Sequence, residues 1–135
     1  MTTSSAPLDF DLSGVRLRFR GLPAEIEPLL REEWRGFESP EAGDPFLEIS
    51  VRAGSEPEPG SPWDPKGMRS LLRAGSARYE LDEGTIDVDA DGRADLRLRC
   101  RAGSRSFAAL LNLVRAGLAW RMPSRGGLLL HAAGL

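Results

Sequence analysis

Side chains that commonly perform acid–base or nucleophilic chemistry are scarce in this chain. It has one histidine, His131, and one cysteine, Cys100. A structural zinc site takes four cysteine or histidine ligands, so no zinc cluster is expected. A single cysteine also excludes an intrachain disulfide, which fits a cytoplasmic protein. From these totals, no cofactor-binding or metal-binding residue is predicted.

One acidic segment is similar to the calcium-binding loop of an EF-hand. Residues 87–98 place acids at loop positions 1, 3, 5 and 9 and a glycine at position 6: Asp87, Asp89, Asp91, Asp95 and Gly92. Position 12 requires a bidentate glutamate, but Leu98 occupies it. The flanking residues also alternate with the period of strands rather than helices. The pattern therefore favours a β-hairpin with an acidic outer face over a calcium site.

Other enzyme motifs are absent from the sequence. Residues 1–135 contain neither a Gly-x-Ser-x-Gly nucleophile elbow nor a Gly-x-x-x-x-Gly-Lys-Ser/Thr phosphate loop. The segment Gly103–Ser106 precedes an amphipathic run, where backbone N–H groups of a helix start could bind an anion weakly. The simpler interpretation is that Ser104 or Ser106 caps this helix.

Composition limits the classes of partner. Hydrophobic residues make up 41% and charged residues 28%, values that are ordinary for a globular domain. The net charge of -2 argues against nucleic acid, and no apolar stretch approaches the ~20 residues of a membrane helix. Lys66 is the only lysine. Arginine suits carboxylate and phosphate recognition, although a biased base composition of the genome also explains its abundance.

Hydrophobic periodicity predicts strands and helices in a mixed order. A strand over 15–19, a helix over 26–34 and a strand over 45–51 come first, and residues 53–67 read as a long loop. Asp-Gly turns then link strands over 76–81, 85–89 and 94–100 into an antiparallel meander. Apolar residues at helical spacing follow from Phe107 to Leu118.

This order predicts an α+β fold, a mainly antiparallel sheet of about five to six strands with two helices packed on one face. Residues 1–13 are expected to form a flexible leader, and residues 14–122 the α+β domain. The terminal residues 126–135 are nearly all apolar and predict a strand over 128–133. A strand that is apolar on both faces belongs inside a sheet. It either enters a further body of protein or completes the sheet of this domain.

The terminal sequence, "GGLLLHAAGL", resembles the junction in bacterial kinases related to HPr serine kinase. The preceding helix has their Phe-x-x-Leu-Leu-x-x-Val pattern at Phe107, Leu110, Leu111 and Val114. In that family an N-terminal α+β region leads into such a strand, which a phosphate-binding loop follows. The intact enzymes have a nucleotide-binding core like that of phosphoenolpyruvate carboxykinase.

The resemblance implies a substrate- or partner-interaction domain of an ATP-dependent serine kinase. ATP and magnesium are implied for an intact relative, but this chain stops before the phosphate loop. Its lysine, its magnesium-binding hydroxyl and the later catalytic acid have no counterparts here, so no cofactor and no catalysis are expected from these residues alone. Of the family's active-site residues only the strand histidine carries over, onto His131. The simpler interpretation is a hydrogen-bonded histidine within a strand.

Three functional hypotheses remain open. The chain is a truncated or split part of such a kinase, which binds a protein or peptide substrate or a partner subunit. Alternatively it is a free-standing α+β protein-interaction module without nucleotide chemistry, or an inactive remnant of a kinase. None of these hypotheses includes a nucleic acid or a membrane as partner, and the sequence determines no oligomeric state.

Overall fold

The computed structural model describes residues 6–39, 43–58 and 67–125, and these form a seven-stranded sheet with two helices. The strands are β1 (Leu8–Leu12), β2 (Val15–Arg20), β3 (Leu47–Glu56), β4 (Arg69–Arg73), β5 (Ser76–Leu81), β6 (Gly84–Asp89) and β7 (Arg93–Cys100). The helices are α1 (Glu27–Glu33) and α2 (Ser104–Arg121), and a 3₁₀ turn over Met122–Arg125 follows α2.

The sheet is mixed, with the strand order β1-β2-β3-β7-β6-β5-β4. The β5–β6–β7 meander is antiparallel, as predicted, whereas β3 runs parallel to both of its neighbours, β2 and β7. Parallel neighbours need a crossover connection. The segment that contains α1 links β2 to β3, and the segment that contains β4, β5 and β6 links β3 to β7. The predicted α+β class is confirmed, in a sheet larger than the expected five to six strands.

The N-terminal segment was predicted as a flexible leader over 1–13, and residues 8–12 of it form a strand instead, whereas residues 1–5 lie outside the described residues. Residues 8–12 form β1, which pairs antiparallel with β2. Ser13 and Gly14 both have positive φ, at 57° and 92°, as the two central residues of a tight hairpin turn require. The Asp11 side chain accepts a hydrogen bond from the Gly14 N–H at 2.6 Å. Leu8 and Phe10 are buried in the core, and this burial makes the segment a strand.

Residues 53–56 were predicted as the start of a loop, but they continue β3 beside β7. A Cβ atom on Gly54 would lie 1.9 Å from the carbonyl oxygen of Arg99. Glycine here permits close backbone approach, and it is not a strand breaker. The sequence also missed β4, because all five of its residues are exposed and no burial pattern marks it. The remainder of the predicted loop, residues 59–66, lies outside the described residues.

The core lies on one face of the sheet, under both helices. Gly117 of α2 packs against Val88 and Ile86, where a Cβ atom would lie 3.0 and 3.4 Å from their side chains. Trp34, directly after α1, packs edge-on against Phe10 with ring centroids 5.2 Å apart. The strand register places all of these partners on the same face. Both helices lie on one face, as predicted, and among the described residues no helix covers the opposite face.

The start of α2 corrects the predicted serine cap. Neither Ser104 nor Ser106 caps the helix through its side chain, and the N-cap residue is Gly103. The carboxylate of Glu58 accepts a hydrogen bond from the Ser106 N–H at 2.9 Å instead. A negative charge at this end also complements the helix dipole. Neither helix in the described ranges is long and apolar enough to span a membrane.

Candidate functional site

The predicted catalytic residue, His131, and the predicted strand over 128–133 lie outside the described residues. Both stay predictions from the sequence.

The acidic segment forms the predicted hairpin, made of β6 and β7. The side chain of Asp89 accepts hydrogen bonds from the N–H groups of Asp91 and Arg93, at 2.9 and 3.0 Å, and so stabilises the turn. Asp87 pairs with Arg78 of β5 at 2.7 Å. Within residues 6–39, 43–58 and 67–125, no three acidic, histidine or cysteine side chains form a group that could hold a metal ion. These aspartates therefore act as turn and cross-strand partners.

The anion at the start of α2 belongs to the chain itself. Glu58 binds both the Ser106 N–H and, at 3.3 Å, the Ser106 hydroxyl. That hydroxyl also lies within hydrogen-bond distance of the Arg101 carbonyl oxygen, at 2.8 Å. The helix start considered as a weak anion site is thus already occupied by a carboxylate.

Cys100 lies at the end of β7 on the core side and is buried. Burial raises the pKa of its thiol, and the nearby carboxylates of Glu56 and Glu58 raise it further. Since the thiolate is the nucleophile, burial and a raised pKa both lower the reactivity of this side chain.

We expect Cys100 to resist alkylation in the folded protein. At pH 7.5, iodoacetamide should label it slowly under native conditions and rapidly in about 6 M guanidinium chloride, where the thiol is exposed and its pKa returns to about 8.5. Intact-protein mass spectrometry measures the labelled fraction. Equal labelling rates in the two conditions would contradict the burial of the thiol.

The side chains that point away from both helices form a densely charged surface, here called the charged face. Strand alternation and register arrange them in rows across the strands. One row contains Asp9, Arg18, Glu48 and Arg93, and its charges alternate in sign. Opposite charges on neighbouring strands attract. Much of the face is thus neutralised within the sheet.

On one side of the charged face, over β1 and β2, the charged side chains are already bound to neighbouring groups. Arg18 forms a bidentate pair with Asp9, with nitrogen–oxygen distances of 3.0 and 2.9 Å. The same guanidinium donates a hydrogen bond to the carbonyl oxygen of Gly43, which lies before β3. The hydrogen bond from Asp9 raises the pKa of Arg18 above its ordinary value. The three groups satisfy one another and leave little capacity for a ligand.

The other side, over β3 to β7, is open, and its arginines either form an ion pair or do not. Arg69 and Arg78 pair with Glu80 and Asp87 at 3.0 and 2.7 Å, and Arg20, the last residue of β2, pairs with Glu48 of β3 at 2.6 Å. Five others form no ion pair with any described residue: Arg52, Arg73, Arg93, Arg97 and Arg99. The open side therefore carries guanidinium groups that form no ion pair with a described carboxylate.

An open concavity of about 600 Å³ lies in the middle of this face. Glu48 and Ser50 of β3, Arg73 of β4, and Arg93 and Asp95 of β7 are among its lining residues. The exposed side chain of Leu71 adds an apolar contact at one border. Such a lining offers guanidinium donors, carboxylate acceptors and a small apolar surface. It suits binding of an extended, polar chain.

The chain matches no protein-family model, no curated protein and no solved structure. The resemblance of its terminal segment to HPr-kinase relatives stays a prediction.

The sequence predicted part of this site. The alternation over 94–100 assigns Arg97 and Arg99 to the polar side of their strand, and the structure confirms this assignment. What the sequence did not reveal is that β3 lies beside β7 and brings Arg52 opposite Arg97. That contact joins residues far apart in the chain across a parallel pair, which no local pattern signals.

Proposed function

We propose that this domain binds a protein or peptide partner on the open side of its charged face. The observation that carries this proposal is the group of arginines that pair with no described acid, beside a concavity of about 600 Å³. Both described helices pack on the opposite face, so among the described residues no helix stands between the charged face and a partner. Charged surfaces of this kind favour specific orientation and fast association more than high affinity.

We further propose that the domain is the N-terminal interaction region of a cytoplasmic HPr-kinase-like serine kinase. The amphipathic run from Phe107 to Val114 and the terminal segment "GGLLLHAAGL" support this proposal. His131 would then lie on the strand that precedes the phosphate loop of an intact kinase. A free-standing interaction module of the same fold is the alternative, and it requires no kinase core.

A selection from a random peptide library tests the interaction function. Displayed dodecapeptides should yield enriched sequences that bind the wild-type domain and lose affinity for the Arg93→Glu variant. Arg115→Glu, an exposed position on α2, makes the same charge change on the helix side and serves as the control. If no peptide is enriched, or if both variants bind equally, the charged face is not a peptide-binding surface.

Addition of ATP and magnesium should leave the thermal stability of this chain unchanged. Ligand bound only to the native state at about 100 times its Kd would stabilise it by about 2.7 kcal/mol, because stabilisation equals RT ln(1 + [L]/Kd). The sequence lacks the lysine and hydroxyl of a phosphate loop, so we expect no shift in Tm. Differential scanning fluorimetry against a salt control of equal ionic strength measures it. A Tm that rises with the logarithm of the ATP concentration would contradict this expectation.

A further inference from the structure

Three arginines at one end of the open side differ from the rest of the charged face. Arg52 of β3 and Arg97 of β7 are directly opposite each other in the strand register, and Arg99 follows Arg97 on the same side of β7. All three side chains belong to exposed residues. We call Arg52, Arg97 and Arg99 the arginine cluster.

The arginine cluster is electrostatically unbalanced within the fold. On the far side of Arg97 the facing residue is Thr85, which carries no charge. Like charges directly opposite on neighbouring strands destabilise a sheet. Arg78 of β5, by contrast, has the acid Asp87 directly opposite on β6. Among the described strands, no acid lies directly opposite either Arg52 or Arg97.

From this arrangement we infer that the arginine cluster binds an acidic, extended peptide segment of a partner protein. This inference rests on the interaction function proposed above and adds the chemical class of the partner. Guanidinium groups bind carboxylates through two parallel hydrogen bonds, which are stronger than hydrogen bonds between neutral groups. A partner that supplies carboxylates would relieve the repulsion between Arg52 and Arg97.

The spacing of the cluster matches an extended peptide. Alternate residues of a strand lie about 6.6–6.8 Å apart on one face. Arg97 and Arg99 have this separation along β7, and acidic residues at positions i and i+2 of an extended segment have it as well. Such a segment, aligned with β7, places one carboxylate at Arg97 and one at Arg99. Its remaining residues continue towards the concavity.

The surroundings favour a peptide over a nucleic acid. Asp95 precedes Arg97 on the same side of β7, and it lies opposite Asp87. A phosphate backbone that continued along this strand would meet these two carboxylates, and the chain as a whole carries a net charge of -2. A short acidic segment, whose other residues are neutral polar, avoids that repulsion.

The test uses a fluorescein-labelled dodecapeptide of serine with glutamate at two positions, i and i+2, near one end. Fluorescence anisotropy at about 50 mM salt, where screening of exposed charges is weak, measures its binding. The wild-type chain should bind it, and a peptide with glutamine in place of every glutamate should not bind. Arg97→Glu and Arg99→Glu should each weaken binding by about tenfold or more, because each removes a charge-assisted pair. Arg115→Glu should bind as the wild type does.

Two further measurements separate the alternatives. A twelve-residue oligothymidylate should bind more weakly than the acidic peptide, and tighter binding that Arg97→Glu abolishes would overturn the inference in favour of nucleic acid. Arg97→Gln should not lower the Tm, because it removes a repulsive charge, whereas a lower Tm would assign this arginine a structural role and overturn the inference. If the random library yields peptides that bind the charged face but are not acidic, the inference fails while the proposed interaction function stands.

Discussion

Replacing Glu83 by leucine should lower the free energy of unfolding by about 3–5 kcal/mol, because it removes one charged partner of an ion pair in a nearly buried site. Glu83 occupies the turn between β5 and β6, and its side chain is only 5% exposed. Arg105 in the first turn of α2 contacts it through two nitrogens, at 2.8 and 2.7 Å. The pair joins the meander to the start of α2, so its loss weakens the contact between two parts of the core.

A double-mutant cycle distinguishes this ion pair from simple loss of packing. Arg105→Met alone should destabilise the fold, since it leaves the buried carboxylate of Glu83 unpaired. Glu83→Leu combined with Arg105→Met should cost less than the sum of the single changes, because apolar groups can replace a buried pair. Urea unfolding followed by tryptophan fluorescence gives the three values. Effects that simply add would show that the two side chains are not coupled.

Phe19→Ala should destabilise the domain by about 3–5 kcal/mol, through lost burial and the cavity left behind. The Phe19 side chain is fully buried under α1 and contacts Phe10 and Trp34, with ring centroids 6.1 and 5.9 Å away. These rings hold β1 and β2 against the segment that contains α1. The cavity would lie between elements that cannot easily collapse onto one another.

Phe37→Ala provides a matched control for Phe19→Ala. The same side chain is removed at a site that is 46% exposed, so the expected loss is under about 1 kcal/mol. Chemical denaturation of both variants at equal protein concentration measures the difference. Comparable losses at the two positions would contradict the assignment of Phe19 to the core.

Local patterns in the sequence were sufficient for the elements whose two faces differ. The alternation over 94–100 and the Asp-Gly turns predicted β5, β6 and β7, and the apolar stripe from Phe107 predicted α2. Each signal is short in range, because hairpins and helices contact residues near in the chain. The same signals fail for β4, which is exposed on both faces, and for the part of β3 that contains Gly54.

The partners of the buried charges could not be read from local patterns. Glu83 follows Asp82 in the turn between β5 and β6, and its burial depends on its ion pair with Arg105 of α2. Glu58 likewise follows a loop-like stretch, yet it caps α2 from 48 residues away. Both contacts depend on how α2 crosses the sheet, which composition and periodicity do not determine.

By itself, the sequence determined the α+β class, the meander, the polar side of β7 and the scarcity of catalytic side chains. The tertiary structure decided that β3 inserts between β2 and β7 and that Arg52 therefore stands opposite Arg97. The physical reason is the distance in sequence over which each signal acts. Alternation is a local pattern and specifies which side of a strand is polar, whereas packing of the whole core determines which strand lies beside it. The like-charged neighbours in the arginine cluster follow from that strand order.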